Sequence, residues 1–266
     1  MSNIPPIKLV PDVLTQVGPV AISTPMFTAF VVTLVLIGFT VFVRLTAGLV
    51  PSRTQAALEI IMEYFLNILT MVHGSEKRAR FFLPLSLTVF LLVLIYNQMS
   101  LIPLVDSFFW GEGADRVKLF DAPSSHYSMT IALAIFALGT GHILALLWAP
   151  LRHIGNFIKI KPIFLARTPM EFVMACVGCF LGFMDVIGEF AKVISMSTRL
   201  FGNIFAGEVV LVIVSGLFVF TQFAFPMPFI VIGILSGLVQ AFVFAMLVSL
   251  FVGSTISGLD LEEKND

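Results

Sequence analysis

The least expected residue in this sequence is Arg199, which stands inside a long tract of apolar residues. An arginine at the centre of a bilayer costs roughly 2.5 to 3.5 kcal/mol on insertion scales, so a partner must compensate its charge. Asp185 and Lys192 precede it at intervals of seven, which places all three on one face of a helix. Three further polar residues fall on the same face: Glu189, Ser195 and Asn203. This polar stripe is predicted to be hydrated or ion-paired, and ionisable residues at membrane depth typically serve ion or proton transfer.

The charge of Arg199 has no evident counter-ion on its own helix. Asp185 lies 14 residues away and Glu189 ten, the latter about 15 Å along an α-helix. We therefore expect the counter-ion to come from another helix or another protein. Gln240, the only large polar residue of the last apolar tract, is a candidate to hydrogen-bond the guanidinium without discharging it. For the rest of the stripe there is a simpler alternative to a role in ion transfer. Lys192 could form an ion pair with Asp185 or Glu189 that serves only to neutralise their charges.

The composition excludes a soluble globular protein. Apolar residues make up 58% of the 266 residues, charged residues only 12%, and the mean hydropathy is +1.03. The net charge of −1 excludes a nucleic-acid binder with a basic surface. The two cysteines, Cys176 and Cys179, lie in an apolar run and are typical of small packing residues. Since a span needs about 20 apolar residues, the chain holds roughly five or six spans and no separate soluble domain.

The elements that position the stripe are predicted to be all α-helical, in a single membrane domain covering 1–266. Five membrane-embedded tracts and one amphipathic surface helix follow from the hydropathy pattern. The tract with Arg199, of roughly 50 residues, is too long for an upright span, so we expect it to tilt strongly or to run along another protein. The predicted segments are an outer segment at 1–26, span 1 at 27–50, the surface helix at 51–73, span 2 at 81–105, span 3 at 127–150, the long helix with Arg199 at 169–219, the last long helix with Gln240 at 229–257, and an acidic tail at 258–266.

Basic residues predict the orientation. They concentrate in the loop after span 1 and in the loop before the long helix, both of which should face the cytoplasm. The N-terminal segment, the loop at 106–125 and the turn at 216–228 carry few basic residues or none. The N-terminus is therefore expected outside and the C-terminus on the cytoplasmic side.

Two segments resemble the signature of subunit a of the rotary F-type ATP synthases: STRLFGNIFAGEVVL at 197–211 and VQAFVFAML at 239–247. Three weaker matches follow the order of that family: PSRTQAALEIIMEYF at 51–65, NQMSLIP at 97–103 and SSHYSMTIALA at 124–134. The resemblance covers most of the chain from about residue 27 onward.

The resemblance implies a stator subunit whose two long, tilted helices form a hairpin against a rotating ring of c subunits, with peripheral-stalk b subunits as further partners. Arg199 matches the essential arginine of the family. Its guanidinium would attract an ionised ring carboxylate and, because arginine stays charged, would block direct leakage of protons. Two aqueous half-channels would carry protons, or sodium ions as an alternative, and so couple ion flow to ATP synthesis. The sequence has no G-x-x-x-x-G-K-[ST] motif, so no nucleotide site, cofactor or metal is expected in this chain.

The other site residues follow from the same resemblance. Glu208 matches a proton-accepting position of the access channel, but Gly233 replaces the histidine that pairs with it in some relatives. His126 stands where an aspartate is common and is either a relay or an interfacial residue. His142, alone on its helix, is interpreted as a packing residue, with a part in the access channel as the alternative. The remaining candidates for the proton pathway are Asn203 and Gln240 near the arginine, and Asp185, Lys192 and Ser195 toward the exit.

A secondary transporter with a charged binding site at mid-membrane is the alternative function. It predicts inverted repeats and broken helices in matching halves of the chain, which the sequence lacks. Glu208 together with the Arg-Leu-Phe-Gly-Asn segment favours a bacterial inner membrane, and the N-terminal segment does not resemble a signal or transit peptide. The mitochondrial inner membrane and the thylakoid are the other possible locations.

Overall fold

Six long helices dominate the computed structural model, which describes residues 11–17, 20–48, 52–101, 108–110, 117–148, 150, 153, 155, 168–217 and 226–263. All six are long and apolar enough to cross a membrane. The chain is therefore a polytopic helical membrane protein, as predicted. The helices are α1 (Thr24–Thr46), α2 (Arg53–His73), α3 (Glu76–Met99), α4 (Tyr127–Trp148), α5 (Pro169–Leu217) and α6 (Pro226–Glu263).

The helix bounds differ from the predicted segments at several ends. Helix α1 begins three residues before the predicted span, because Pro25 suits the first turn of a helix. Helix α3 begins at Glu76 rather than at residue 81, because Arg80 pairs with Glu76 at 2.7 Å and makes the charged first turn stable. The acidic tail predicted at 258–266 is helical as far as Glu263, since glutamate is a good helix former. Of the predicted segments, residues 102–105, 218–219 and 264–266 lie outside the described residues.

Two short pairs of antiparallel strands accompany the helices and were not predicted. Strands β1 (Val13–Val17) and β2 (Val20–Ser23) precede α1. Strands β3 (Phe109–Trp110) and β4 (Val117–Lys118) lie in the loop before α4. Each pair satisfies backbone hydrogen-bonding groups locally, because antiparallel strands can be joined by a tight turn. Neither pair changes the helical class of the fold.

Helix α6 is packed against α2, α3, α4 and α5, so its middle lies at the centre of the fold. Its Phe244 and Val248 are fully buried in a core that also contains Phe65, Phe90 and Leu200. In contrast, α1 exposes large apolar side chains along most of its length, as a lipid-facing helix does. Helix α2 buries one face and exposes the acidic side chains of the other, which is the amphipathic pattern that the sequence predicts.

The antiparallel pair α3 and α6 is joined by polar contacts near the end of α3. There, Asn97 Nδ2 donates to the carbonyl oxygen of Gly237 at 3.1 Å, and Gln98 Nε2 donates to that of Ile234 at 3.2 Å. Near the start of α3, His73 at the end of α2 lies directly over Gly253 of α6, where any Cβ atom would collide with its ring. The end of α2 and the second half of α6 are thus fitted to each other.

Candidate functional site

An open cleft of about 480 Å³ lies between α5 and α6 and contains the most unusual residue of the sequence. Arg199 and Asn203 line it from α5. The residues that line it from α6 are Ile232, Leu235, Ser236, Val239 and Gln240. The structure therefore brings together three of the predicted site residues, namely Arg199, Asn203 and Gln240, although they come from two distant parts of the chain.

Arg199 is exposed, and its guanidinium makes a single hydrogen bond among the described residues. Its Nη2 donates to Ser195 Oγ, one turn earlier on α5, at 3.4 Å. No carboxylate in the described part of the chain forms an ion pair with it. The described residues do not neutralise the charge of this guanidinium, so the site is suited to bind a carboxylate from another chain.

Asn203 and Gln240 have different surroundings within the cleft. Asn203 Oδ1 accepts a hydrogen bond from Ser236 Oγ at 2.8 Å, so this amide joins α5 to α6. Gln240 is only 8% exposed, and its Nε2 has no partner among the described residues. The expected hydrogen bond from the guanidinium of Arg199 to Gln240 is not formed, because the amide is buried whereas the guanidinium reaches the exposed face.

A second polar cluster occupies the half of α5 that precedes Arg199. Lys192 Nζ donates to Glu189 Oε1 at 2.7 Å and lies 4.9 Å from the ring centre of Phe251. Of the two pairings that the sequence left open, the structure has the one with Glu189. Asp185 is exposed and forms no ion pair with Lys192. Ser195 continues the polar stripe toward Arg199.

His142 belongs to this second cluster, and its interpretation as a packing residue is wrong. Its Nε2 lies 3.4 Å from Glu189 Oε2, and its Nδ1 lies 3.2 Å from Nε2 of His153. Sequence reasoning missed the pair because the partners of His142 come from two other segments, so that no local spacing indicates them. Burial and the neighbouring imidazole of His142 lower the pKa of His153 below its usual value, against the opposing effect of Glu189.

His126 is buried at the start of α4 and pairs with an acidic residue that sequence reasoning also missed. Its Nε2 lies 2.7 Å from Asp121 Oδ2, and its Nδ1 has no partner among the described residues. The next residue, Tyr127, lies 3.3 Å from Thr198 through their hydroxyl oxygens, which places this end of α4 beside the residue preceding Arg199. The signal in the sequence was the aspartate five residues before His126, across a turn that contains Pro123.

Glu208 lies half-buried on α5, two and a half turns beyond Arg199. Gly233, which replaces the histidine found in some relatives, packs against Leu101. A Cβ atom at this position would lie 2.9 Å from Leu101 Cδ2. A larger residue at position 233 would therefore require the side chain of Leu101 to shift.

The fold and the site define a polytopic helical membrane protein whose described part leaves a cation without a counter-ion on its longest helix. The profile of the family described as ATP synthase A chain matches residues 26–253. The chain is 31% identical over 250 residues to ATP synthase subunit a of Geotalea daltonii, covering 93% of this chain and 92% of that protein. It is 26% identical over 259 residues to ATP synthase subunit a of Moorella thermoacetica, covering 97% and 100%. It is 28% identical over 260 residues to ATP synthase subunit a 2 of a Bradyrhizobium species, covering 94% and 96%. The chain belongs to the ATP synthase A chain family, and the resemblance found in the sequence is confirmed.

Proposed function

We propose that this protein is the stator subunit that carries protons through the membrane part of a rotary ATP synthase. In this function α5 and α6 lie as a tilted hairpin against a ring of c subunits, and peripheral-stalk b subunits hold the protein in place. Family membership favours this function over the secondary transporter. The observation that carries the proposal is the exposed guanidinium of Arg199, which has no carboxylate partner in the described part of the chain.

The interaction energy between Arg199 and a ring carboxylate is compatible with a ring that moves. A ring carboxylate at about 4 Å from the guanidinium gains on the order of 4 kcal/mol at an effective dielectric constant of 20. This interaction favours the ionised form of the carboxylate, yet thermal motion and the next binding step can overcome it. Because arginine stays protonated at any working pH, Arg199 also separates the two sides of the membrane electrically.

Two half-channels complete the mechanism. On the access side, Glu208 accepts the proton, with Asn203 and Gln240 lining the cleft beside Arg199. The pair of the buried His126 and the half-buried Asp121 lies at the start of α4 and is the second polar group proposed for this side. On the exit side, the pathway follows the polar stripe through the three other candidates: Ser195, Lys192 and Asp185.

The arrangement in the membrane follows from the same proposal. Five of the six apolar helices are embedded, whereas α2 lies along the surface with Glu59 and Glu63 exposed. The N-terminus faces the outside and the C-terminus the cytoplasm, in agreement with the distribution of basic residues. The relatives from bacteria support a bacterial inner membrane as the location.

Cysteine cross-linking in native membranes tests this proposal directly. In a chain whose Cys176 and Cys179 are replaced by serine, Ser195→Cys places a thiol on the exposed face, one turn from Arg199. We expect it to form a disulfide with a cysteine next to the ring carboxylate, and we expect this disulfide to stop ATP-driven proton pumping.

Ser197→Cys is the matched control, because Ser197 is fully buried on the opposite side of the same helix. It should give no cross-link under the same oxidising conditions. Cross-linking of both positions, or of neither, would contradict the proposed contact between this face of α5 and the ring.

A further inference from the structure

Four polar side chains form a continuous series of contacts that joins α4, one residue that follows it, and α5. We call this series the histidine chain: His153, His142, Glu189 and Lys192. Its three contacts join His153 Nε2 to His142 Nδ1 at 3.2 Å, His142 Nε2 to Glu189 Oε2 at 3.4 Å, and Lys192 Nζ to Glu189 Oε1 at 2.7 Å.

The contacts of His142 are those required for proton relay. A neutral imidazole carries one N–H donor and one acceptor nitrogen, and its ring can accept a proton on one nitrogen while releasing another from the opposite nitrogen. Both ring nitrogens of His142 have a polar partner within 3.4 Å, on opposite sides of the ring. A histidine that only filled space would not need a titratable partner on each nitrogen.

The position of the histidine chain fits the exit side of the proposed pathway. Glu189 precedes Arg199 by ten residues, about 15 Å along α5 toward the loop that carries Arg152, Lys159, Lys161 and Arg167. His153 follows the end of α4 by five residues and belongs to that loop in sequence, directly after Arg152. The histidine chain therefore leads from the polar stripe of α5 to the basic side of the protein.

The neighbouring helix adds no further titrating group at this point. Helix α6 packs on the same region through Phe251, which lies beneath Lys192, and through Val252, which contacts Gly141. The sequence of α6 contains no ionisable residue between Gln240 and Thr255. Among the described residues, the charged and titratable groups around the ring of His142 are His153, which follows α4, and both Glu189 and Lys192 from α5. His73 lies at Gly253 on α6.

We propose that the histidine chain is the last part of the proton exit path in this protein. Protonated Glu189 passes its proton to Nε2 of His142, His142 releases the proton on its Nδ1 to Nε2 of His153, and His153 releases its own Nδ1 proton to water on the cytoplasmic side. Glu189 is left ionised and is stabilised by Lys192, ready for the next proton. This assignment deepens the proposed function and rests on it.

The test measures passive proton conductance in membrane vesicles that carry the assembled complex without its soluble catalytic part. His142→Gln keeps a side chain that can donate and accept hydrogen bonds but cannot relay a proton. We expect the conductance to fall by about a hundredfold, the lower range of what a proton-transfer group contributes. His153→Gln, which lies outside the spanning helices, should have the same effect and serves if His142→Gln does not assemble.

His73→Gln is the matched control, because His73 is another interhelical histidine, and its one hydrogen bond within the described part of the chain joins it to Ser249. It should conduct like the unmodified protein. Wild-type conductance in both His142→Gln and His153→Gln would overturn the histidine chain. Arg199→Ala is measured separately, in vesicles that keep the soluble catalytic part. If ATP-driven pumping survives that change, the proposed function itself fails. Loss of pumping in Arg199→Ala together with normal conductance in the histidine variants rejects the relay alone.

Discussion

The hydroxyl of Ser236 donates a 2.8 Å hydrogen bond to Oδ1 of Asn203, 33 residues earlier in the chain, and so joins the two longest helices inside the cleft. Asn203 follows Arg199 by one turn of α5. The bond therefore holds the segment of α5 that carries the arginine at a fixed position against α6.

Removing this hydrogen bond should destabilise the contact between α5 and α6. Ser236→Ala leaves the amide oxygen of Asn203 without its donor, and we expect a loss of about 1 kcal/mol. A double-mutant cycle with Asn203→Ala, measured by thermal unfolding in detergent, gives the coupling energy. Ser254→Ala is the control, since Ser254 is exposed and its hydroxyl donates to the carbonyl oxygen of Phe251 in its own helix. Equal effects of the two serine changes would contradict the bridging role.

Replacing Arg199 should abolish coupled transport. In Arg199→Ala the ring carboxylate has no fixed counter-ion, so we expect complete loss of ATP-driven proton pumping with normal assembly. Passive leakage of protons should rise, because the permanent positive charge that separates the two sides is gone. Fluorescence quenching in inverted vesicles measures both quantities. Arg80→Ala, which removes an exposed arginine paired with Glu76, should pump normally.

The carboxylate on the access side should matter less than the arginine. Glu208→Gln removes the titrating group but keeps its size and hydrogen-bonding capacity, and hydrated neighbours can take over part of the proton transfer. We expect slower pumping than in the unmodified protein and clearly faster pumping than in Arg199→Ala. A loss in Glu208→Gln as complete as that in Arg199→Ala would make Glu208 indispensable instead of one member of a hydrated path.

The close approach of His73 to α6 should be sensitive to a single methyl group. Gly253→Ala places a Cβ atom where the imidazole lies, so either the ring or α2 must shift, at a cost of about 1 to 3 kcal/mol. Gly38→Ala is the matched control, because nothing lies within 4 Å of a Cβ atom at that position of α1. It should be neutral or slightly stabilising, since alanine favours a helix over glycine. Thermal unfolding of both variants compares the two sites.

The buried His153 should make stability depend on pH. Its pKa is lowered in the folded protein, so the unfolded chain binds more protons, and stability falls as the pH decreases below the usual histidine value of 6.5. His153→Gln should remove this part of the pH dependence. Thermal unfolding of the two proteins across the range from about pH 5 to 8 measures the difference in slope. Parallel curves would show that His153 is protonated equally in both states.

The sequence was sufficient to predict the helices and three of the residues that line the cleft. Long apolar tracts define spans by length alone, and the spacing of polar residues from Asp185 to Asn203 defines one face of α5. The same reasoning failed for His142 and for the partner of His126. Glu189 and His153 reach His142 only through the packing of α4 on α5, and Asp121 reaches His126 only through the turn at Pro123–Ser125. Contacts between segments depend on helix rotation and tilt, which one-dimensional periodicity does not determine.

The two carboxamides at the end of α3 have a mechanical consequence under the proposed function. A ring that moves past Arg199 pushes sideways on α5, and an unsupported helix would bend away from its load. The hydrogen bond between Ser236 and Asn203 transmits this force from α5 to α6. From α6 the force reaches α3, where Asn97 and Gln98 donate hydrogen bonds to backbone carbonyl oxygens of α6. A backbone carbonyl in a helix cannot rotate away as a side chain can. Helix α3 thus supports the face of α5 that carries Arg199.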